Sequence, residues 1–144
     1  MKIAGVEKLS TVDYPGQLAA VFFTPGCNMK CFYCHNHQLI DQDAQPLWFG
    51  EECALEWLKE REGFLDAVVI SGGEPTLQPD LASFIRKIKK LNYRVKLDTN
   101  GTNPDVLNAL IEEGLLDYIA MDVKAPRDQY QAVCGVSVDL AAID

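Results

Sequence analysis

Short apolar runs alternate with amphipathic stretches along most of this chain. The runs at 18–23, 67–70, 94–98 and 118–122 predict strands, and the first two are continuous apolar stretches. Continuous apolar strands are typical of parallel sheets that are covered on both faces. The pattern therefore predicts an α/β fold in which parallel strands belong to βαβ units.

The stretches between these strands carry helical patterns. Segment 51–61 places its apolar residues on one side, and a second helix repeats them at helical spacing. Asn103 followed by Pro104 predicts the start of a third helix, because asparagine caps a helix and proline suits its first turn. The apolar face of the second helix comprises Leu81, Phe84, Ile85, Ile88 and Leu91.

A polar motif follows each predicted strand at its carboxyl end. A cysteine-rich loop follows the first strand, and Gly72-Gly73-Glu74-Pro75 follows the second. The third strand leads into 98–101 and the fourth into 122–124. Active sites of barrels and open α/β sheets lie at the carboxyl ends of the strands. We therefore expect these motifs to share one site.

Composition narrows the classes of function. A length of 144 residues suits one domain, and 48% hydrophobic with 24% charged residues is ordinary for a soluble protein. Without a membrane-length apolar run or a signal-peptide pattern, we expect a cytoplasmic protein with no membrane partner. The net charge of −8 argues against a nucleic-acid partner, because phosphate-binding surfaces need clustered Lys and Arg.

Three cysteines carry the most specific signal. Cys27, Cys31 and Cys34 form a C-x-x-x-C-x-x-C pattern that places three thiolates in one loop. A cubane iron–sulfur cluster normally takes four thiolates, so this loop would leave one iron open to a reactant. The alternative is a zinc site completed by His35, His37 or Cys53. Spacing favours the cluster, but it leaves both metals open.

The other motifs also have two interpretations. Gly72 and Gly73 allow the backbone to approach a ligand closely, and Glu74 could accept hydrogen bonds from an ammonium group; the alternative is a tight turn. The segment 98–101 could be a polar turn. Asp122 and Lys124 alternate along the chain, so they project to one side as a ligand site or as an ion pair.

The motifs, taken in this order, resemble the radical S-adenosylmethionine (SAM) superfamily. In that superfamily a C-x-x-x-C-x-aromatic-C loop follows the first strand, with Tyr33 at the aromatic position here, and G-G-E-P follows the second. The resemblance implies a partial (β/α) TIM-like barrel of the radical SAM type, with residues 1–144 as a single core domain. About four βα units can be counted, so we expect a truncated chain that lacks the C-terminal part of the barrel, and 137–144 looks like a helix that has only begun.

A narrower resemblance is to the glycyl-radical-enzyme activating proteins. It is carried by the motifs at 11–16, 34–36, 98–101 and 121–124, and it is nearest to activators of anaerobic ribonucleoside-triphosphate reductase. It implies a reduced 4Fe–4S cluster that cleaves SAM to a 5′-deoxyadenosyl radical, which then forms a glycyl radical on a partner enzyme. A flavodoxin- or ferredoxin-type protein would donate the electron.

The resemblance also assigns roles to individual residues. The three loop cysteines would hold the cluster, and the open iron would bind the amino and carboxylate groups of SAM. Gly72, Gly73 and Glu74 would receive the methionine ammonium, and Tyr33 would lie against the adenine. Contacts to the methionyl carboxylate or ribose are implied for Thr99, Asp122 and Lys124. The alternative is that Asp98, Thr99 and Asp122 bind a monovalent cation.

Two alternatives to this function remain. One is a related enzyme, either a pyruvate formate-lyase activating enzyme or a radical SAM enzyme that acts on a small molecule. The other is a non-catalytic α/β binding module stabilised by zinc. Cys53 is the only further cysteine between the loop and the second predicted strand, so we expect one cluster, with Cys53 as a small core residue of its helix.

Overall fold

The computed structural model describes residues 1–40 and 50–143. These residues contain one five-stranded sheet whose strand order follows the chain. The strands are β1 Gly5–Ser10, β2 Ala19–Thr24, β3 Ala67–Gly72, β4 Arg94–Thr99 and β5 Tyr118–Met121. The last four pair in parallel, which confirms the predicted α/β fold, and β1 pairs antiparallel with β2.

Helices connect the parallel strands. The helices are α1 Glu51–Lys59, α2 Leu81–Lys90, α3 Pro104–Glu112 and α4 Tyr130–Cys134. Short 3₁₀ turns occupy His37–Leu39, Pro75–Leu77, Arg127–Gln129 and Leu140–Ala142. The helix predicted to begin within 137–144 is therefore a 3₁₀ turn over its described part, and residue 144 lies outside the described residues.

The first three helices pack on one face of the sheet. Their apolar residues and alternate residues of β2, β3 and β4 form one buried cluster, in which Phe22, Phe84 and Ile70 are fully buried. The opposite face carries a smaller cluster around Tyr14, Val21 and Val69. Helices on one side of consecutive parallel strands give the sheet the arrangement of one arc of a barrel.

Cys53 does not belong to the core. The prediction that it is a core residue was wrong, because its side chain is exposed on α1. The buried positions of this helix are Ala54 and Leu58, four residues apart on one face. Cys53 precedes Ala54 by one position, and adjacent residues of a helix do not share a face. No helix of the described residues is both long and apolar enough to cross a membrane.

Candidate functional site

A cavity of about 230 Å³ opens where the parallel strands end. The structure brings the separate strand ends together at one cavity, whose lining comes from the ends of β3 and β4 and from the loops after β2, β3, β4 and β5. The lining residues that the sequence predicted are Cys27, Cys31, Tyr33, Cys34, Gly72, Gly73, Asp98, Thr99, Asp122 and Lys124. Glu74 is a predicted site residue that does not line the cavity.

The three loop cysteines are half-buried free thiols at the cavity wall. Burial raises the pKa of the Cys27 thiol, although the Met29 N–H, 3.4 Å from its Sγ, acts in the opposite direction. A metal bound here must therefore displace a proton from Cys27. Across the described residues, no three His, Cys, Asp or Glu side chains converge on a site for a single metal ion.

The possible fourth zinc ligands are differently placed. His35 lines the cavity beside the cysteines. Cys53 is exposed on α1, and neither it nor His37 contributes to the cavity wall. Of the three residues proposed to complete a zinc site, the structure thus brings only His35 to the cavity.

The cysteine loop is supported from behind by α4, which the sequence did not connect with it. The Lys30 N–H donates to the Cys134 carbonyl over 2.8 Å, and the Cys134 side chain is fully buried. Burial, together with a hydrogen bond to Cys31, raises the pKa of Cys134 to about 11. Cys134 is therefore a protonated thiol behind a candidate metal ligand. Because Cys134 is far from the other cysteines along the chain, the sequence did not predict this contact.

The two glycines of the turn after β3 are needed for contact between strands. A Cβ on Gly73 would lie 2.0 Å from the Gly26 carbonyl oxygen, and one on Gly72 would lie 2.4 Å from the Thr24 nitrogen. Gly72 also has φ +112°, a conformation that other residues rarely adopt. The sequence attributed the glycines to close approach of a ligand. The structure shows that they let β3 end directly against the cysteine loop.

Glu74 is a buried carboxylate with its oxygens already occupied. It accepts hydrogen bonds from the Thr76 N–H at 3.1 Å and the Thr99 hydroxyl at 2.8 Å. It also accepts from the Asn100 N–H at 2.7 Å, and its side chain is fully buried. A carboxylate at this depth requires such donors. Both Glu74 oxygens are therefore bonded to groups of the protein, and a direct contact of Glu74 with an ammonium group stays a prediction.

Each cavity carboxylate lies beside an ammonium group of the protein. Lys96 Nζ is 2.5 Å from Asp98, and Lys124 Nζ is 2.9 Å from Asp122. Burial acts to lower the pKa of Lys124, but its hydrogen bond to Asp122 and the charge of that carboxylate outweigh burial and raise it. The predicted alternative of an Asp122–Lys124 ion pair is confirmed. The sequence analysis did not predict the Lys96–Asp98 pair, although these two residues alternate along the chain in the same way as Asp122 and Lys124.

These ion pairs involve two of the residues that were expected to bind a monovalent cation. Its three expected ligands were Asp98, Thr99 and Asp122. Both carboxylates have a lysine partner here, and the Thr99 hydroxyl donates to Glu74. A monovalent cation at this position would have to displace Lys96 and Lys124 from these carboxylates, and it stays a prediction.

Tyr33 joins the cysteine loop to the segment after β5. Its hydroxyl donates to the Lys124 carbonyl over 3.1 Å, and 44% of its surface remains exposed. The ring is therefore held at the cavity wall with its surface available to a ligand. Thiols, backbone groups, an aromatic ring and charges of both signs together suit a zwitterionic ligand next to a thiolate-bound metal centre.

Comparison with known proteins gives consistent results. The family model described as the radical SAM superfamily matches residues 21–143. The chain is 44% identical over 131 residues to a protein of Methanocaldococcus jannaschii provisionally named a glycyl-radical enzyme activating enzyme, covering 90% of this chain and 52% of that protein. It is 34% identical over 149 residues to the pyruvate formate-lyase 1-activating enzyme of Escherichia coli K12, covering 94% and 57%.

The fold is also similar to that of a solved structure. SuiB of Streptococcus suis matches with a TM-score of 0.59 and 18% identity, over 81% of this chain and 26% of that chain. At this identity the likeness shows the fold alone. The chain spans about half the length of the curated relatives it matches.

Proposed function

This chain belongs to the radical SAM superfamily, and we propose that its cavity binds a 4Fe–4S cluster and SAM and generates a glycyl radical on a partner enzyme. One observation carries the proposal. Cys27, Cys31 and Cys34, from a single loop, line a cavity whose wall also carries Asp98 and Lys124. A zinc-stabilised binding module does not require charged groups beside its thiolates.

The donor set fits these two cofactors. Thiolates are the usual ligands of iron–sulfur clusters, and a cubane held by three of them leaves one iron open. Cys27, Cys31 and Cys34 are free, so all three can serve as such ligands after losing their protons. The methionyl part of SAM has an ammonium and a carboxylate. Asp98 and Lys124 on the cavity wall carry the opposite charges, and SAM would replace their present ion-pair partners, Lys96 and Asp122.

The charged and backbone groups of the cavity would orient the methionyl part of SAM. Lys124 suits its carboxylate, because a raised pKa keeps the lysine charged at neutral pH. The backbone of Gly72 and Gly73, together with Asp98, suits the ammonium. Glu74 would act from behind the wall by holding Thr99 and Asn100.

Tyr33 and Asp122 would complete the contacts with SAM. The half-exposed ring of Tyr33 suits the adenine, because its hydroxyl is already fixed on the Lys124 carbonyl. Asp122 and Thr99 line the cavity and suit the ribose or methionyl region. A cluster held by the three loop cysteines, with SAM bound beside it, would supply one-electron radical chemistry, and the cavity residues would hold and orient SAM for it.

The identity of the partner rests on motifs and relatives. Similarity to a protein provisionally named a glycyl-radical enzyme activating enzyme, and to a pyruvate formate-lyase 1-activating enzyme, supports a glycyl radical enzyme as the partner. Within that class we propose anaerobic ribonucleoside-triphosphate reductase, because the motifs at 11–16, 34–36, 98–101 and 121–124 together most resemble those of its activators, and pyruvate formate-lyase is the alternative. A flavodoxin- or ferredoxin-type protein is the proposed electron donor.

Anaerobic reconstitution tests the cofactor chemistry. The chain is loaded with iron and sulfide, reduced with dithionite and given SAM, and 5′-deoxyadenosine is quantified together with bound iron. We expect a brown protein that forms 5′-deoxyadenosine. Replacing Cys34 with Ala should lower the iron content and abolish SAM cleavage, because one of the three ligands is lost.

Cys53→Ala is the matched control, since Cys53 is exposed on α1 and lies outside the cavity wall. It should leave iron content and SAM cleavage unchanged. A colourless protein that binds zinc, or a well-loaded protein that leaves SAM intact, would refute the proposed function of this chain. Adding each candidate partner and recording the electron paramagnetic resonance (EPR) doublet of a glycyl radical would distinguish the two partners.

A further inference from the structure

Three side chains close a ring of hydrogen bonds between the cysteine loop and the turn after β4. The Asn28 amide donates to the Thr102 hydroxyl over 2.8 Å, and that hydroxyl donates to the Asn100 amide oxygen over 2.7 Å. The Asn100 amide then donates back to the Asn28 amide oxygen over 2.9 Å. Each side chain both donates and accepts within the ring, and such chains of hydrogen bonds strengthen one another.

The ring is anchored in the interior through Asn100. Its side chain is 5% exposed, and its backbone N–H donates to the buried Glu74 carboxylate. The Glu74 N–H donates in turn to the Gly26 carbonyl over 2.7 Å, immediately before Cys27. A continuous path of hydrogen bonds therefore joins the exits of β2, β3 and β4.

We propose that Asn28, Asn100 and Thr102, here called the amide clasp, are positioning residues that fix the thiol-bearing loop relative to the cavity wall after β4. The inference rests on the proposed function. Asn28 lies between the candidate ligands Cys27 and Cys31, whereas Asp98 and Thr99 directly precede Asn100 on the cavity wall.

The clasp complements a second anchor of the same loop. Lys30 N–H bonds to the Cys134 carbonyl and holds the loop against α4. That bond places the loop relative to the segment after β5 but not relative to β4. The clasp and this bond together tie the loop both to the segment after β4 and to the segment after β5, which carry the groups that we assign to the ammonium and the carboxylate of SAM.

Thiol alkylation of the metal-free chain tests the clasp without any cofactor. The variants are Asn28→Ala and Thr102→Val, which keeps the shape of threonine but removes its hydroxyl. Iodoacetamide labelling followed by mass spectrometry should show Cys27 reacting at least about fivefold faster in each variant, because each substitution removes two of the three hydrogen bonds of the ring. The double variant should label no faster than the faster single variant, because both changes open the same ring.

The controls separate loop opening from general effects. The exposed Cys53 is an internal reference for reagent reactivity and should label at one rate throughout. Thr11→Val and Asn108→Ala, at exposed positions, should leave Cys27 labelling at the wild-type rate. Circular dichroism verifies that each variant is folded. Cys27 rates within about twofold of wild type in both Asn28→Ala and Thr102→Val would overturn the inference.

A spectroscopic measurement tests the positioning role in the loaded protein. Thr102→Val should bind as much iron as wild type, but the SAM concentration that half-converts the EPR signal of the reduced cluster should rise about fivefold. An unchanged midpoint would overturn the positioning role. A wild-type protein that holds no iron, or whose signal ignores SAM, would instead refute the proposed function, and the labelling result would still decide the clasp.

Discussion

Gly73 lies in close contact with the loop that leads to the cysteines. Its N–H donates to the Thr24 carbonyl over 2.8 Å, and the carbonyl of Gly26 occupies the space where a side chain would begin. Because Gly26 directly precedes Cys27, any displacement there moves the first candidate cluster ligand. The residue thus couples the packing of two strand ends to the geometry of the site.

Gly73→Ala should therefore destabilise both the fold and the site. The new Cβ would lie 2.0 Å from a backbone oxygen, so the backbone must move. We expect a loss of about 2–4 kcal/mol in the free energy of unfolding of the metal-free chain, measured by urea denaturation. Bound iron after reconstitution should also fall, because Cys27 is displaced.

Gly50→Ala is the matched control for this change. A Cβ on Gly50 meets nothing within 4 Å, and its φ of −75° suits alanine. It should cost no more than about 1 kcal/mol, the usual range for helix caps. Equal unfolding midpoints for the two variants would show that the Gly73–Gly26 contact is not as tight as described.

The sequence identified which residues have chemically useful side chains better than it predicted which way those side chains point. The cysteine spacing and the alternation of Asp122 with Lys124 placed those residues correctly, because a short loop and an extended segment constrain where side chains go. Glu74 was expected to face a ligand, yet it turns inward, since its partners Thr99 and Asn100 are distant in sequence. Contacts of that kind, like those of Cys134, become visible only once the chain is folded.

At the level of secondary-structure elements, the sequence predicted the buried strands but missed the exposed one. β2 and β3 are continuous apolar runs, and their burial on both faces made them recognisable. β1 was missed because its sequence, GVEKLS, is mostly polar and its middle residues are exposed. A strand with a single neighbour and little buried surface leaves a weak pattern in the sequence.

The contact between α1 and α2 should make stability depend on acid pH. Glu51 pairs with Lys87 of α2 and with the amino group of Met1, which also lies 2.6 Å from Asp80. Burial acts to raise the pKa of Glu51, but the hydrogen bonds and charges of Lys87 and the amino group lower it overall. A carboxyl group with a lowered pKa stabilises the fold above its unfolded pKa and loses that effect as pH falls through the folded pKa.

We therefore expect Glu51→Gln to be less stable than wild type at pH 7 by about 0.5–1 kcal/mol. The difference should begin to shrink as the pH falls below the ordinary pKa of a glutamate, about 4.3, and should continue to shrink through the lowered pKa of folded Glu51. Urea denaturation across this range measures it. Glu56→Gln, an exposed position on the same helix, is the control with the same change of charge. A gap between Glu51→Gln and wild type that does not narrow as the pH is lowered would exclude the ion pair as its cause.

At the scale of the whole molecule, the sheet is an arc. The expected partial barrel is confirmed in its parallel strands and in its likeness to a solved structure. Within the described residues, β3 has neighbours on both sides, whereas β5 pairs only with β4. Tyr118 and Met121 of β5 are 43% and 41% exposed, so this edge of the arc buries much less surface than its centre.

The decrease in buried surface from β3 to β5 predicts which backbone amides exchange their hydrogens first. Amides of β3 are protected from both sides and should exchange only when the domain opens widely, whereas β5 can detach by losing one neighbour. Exchange followed by mass spectrometry should therefore show β5 exchanging at least about tenfold faster than β3. Equal protection of the two strands would mean that another chain covers β5 in solution, and light scattering would then reveal an oligomer. Fast exchange of β5 from a monomer would instead leave the site supported chiefly by β2, β3 and β4, the strands that the amide clasp and Glu74 hold together.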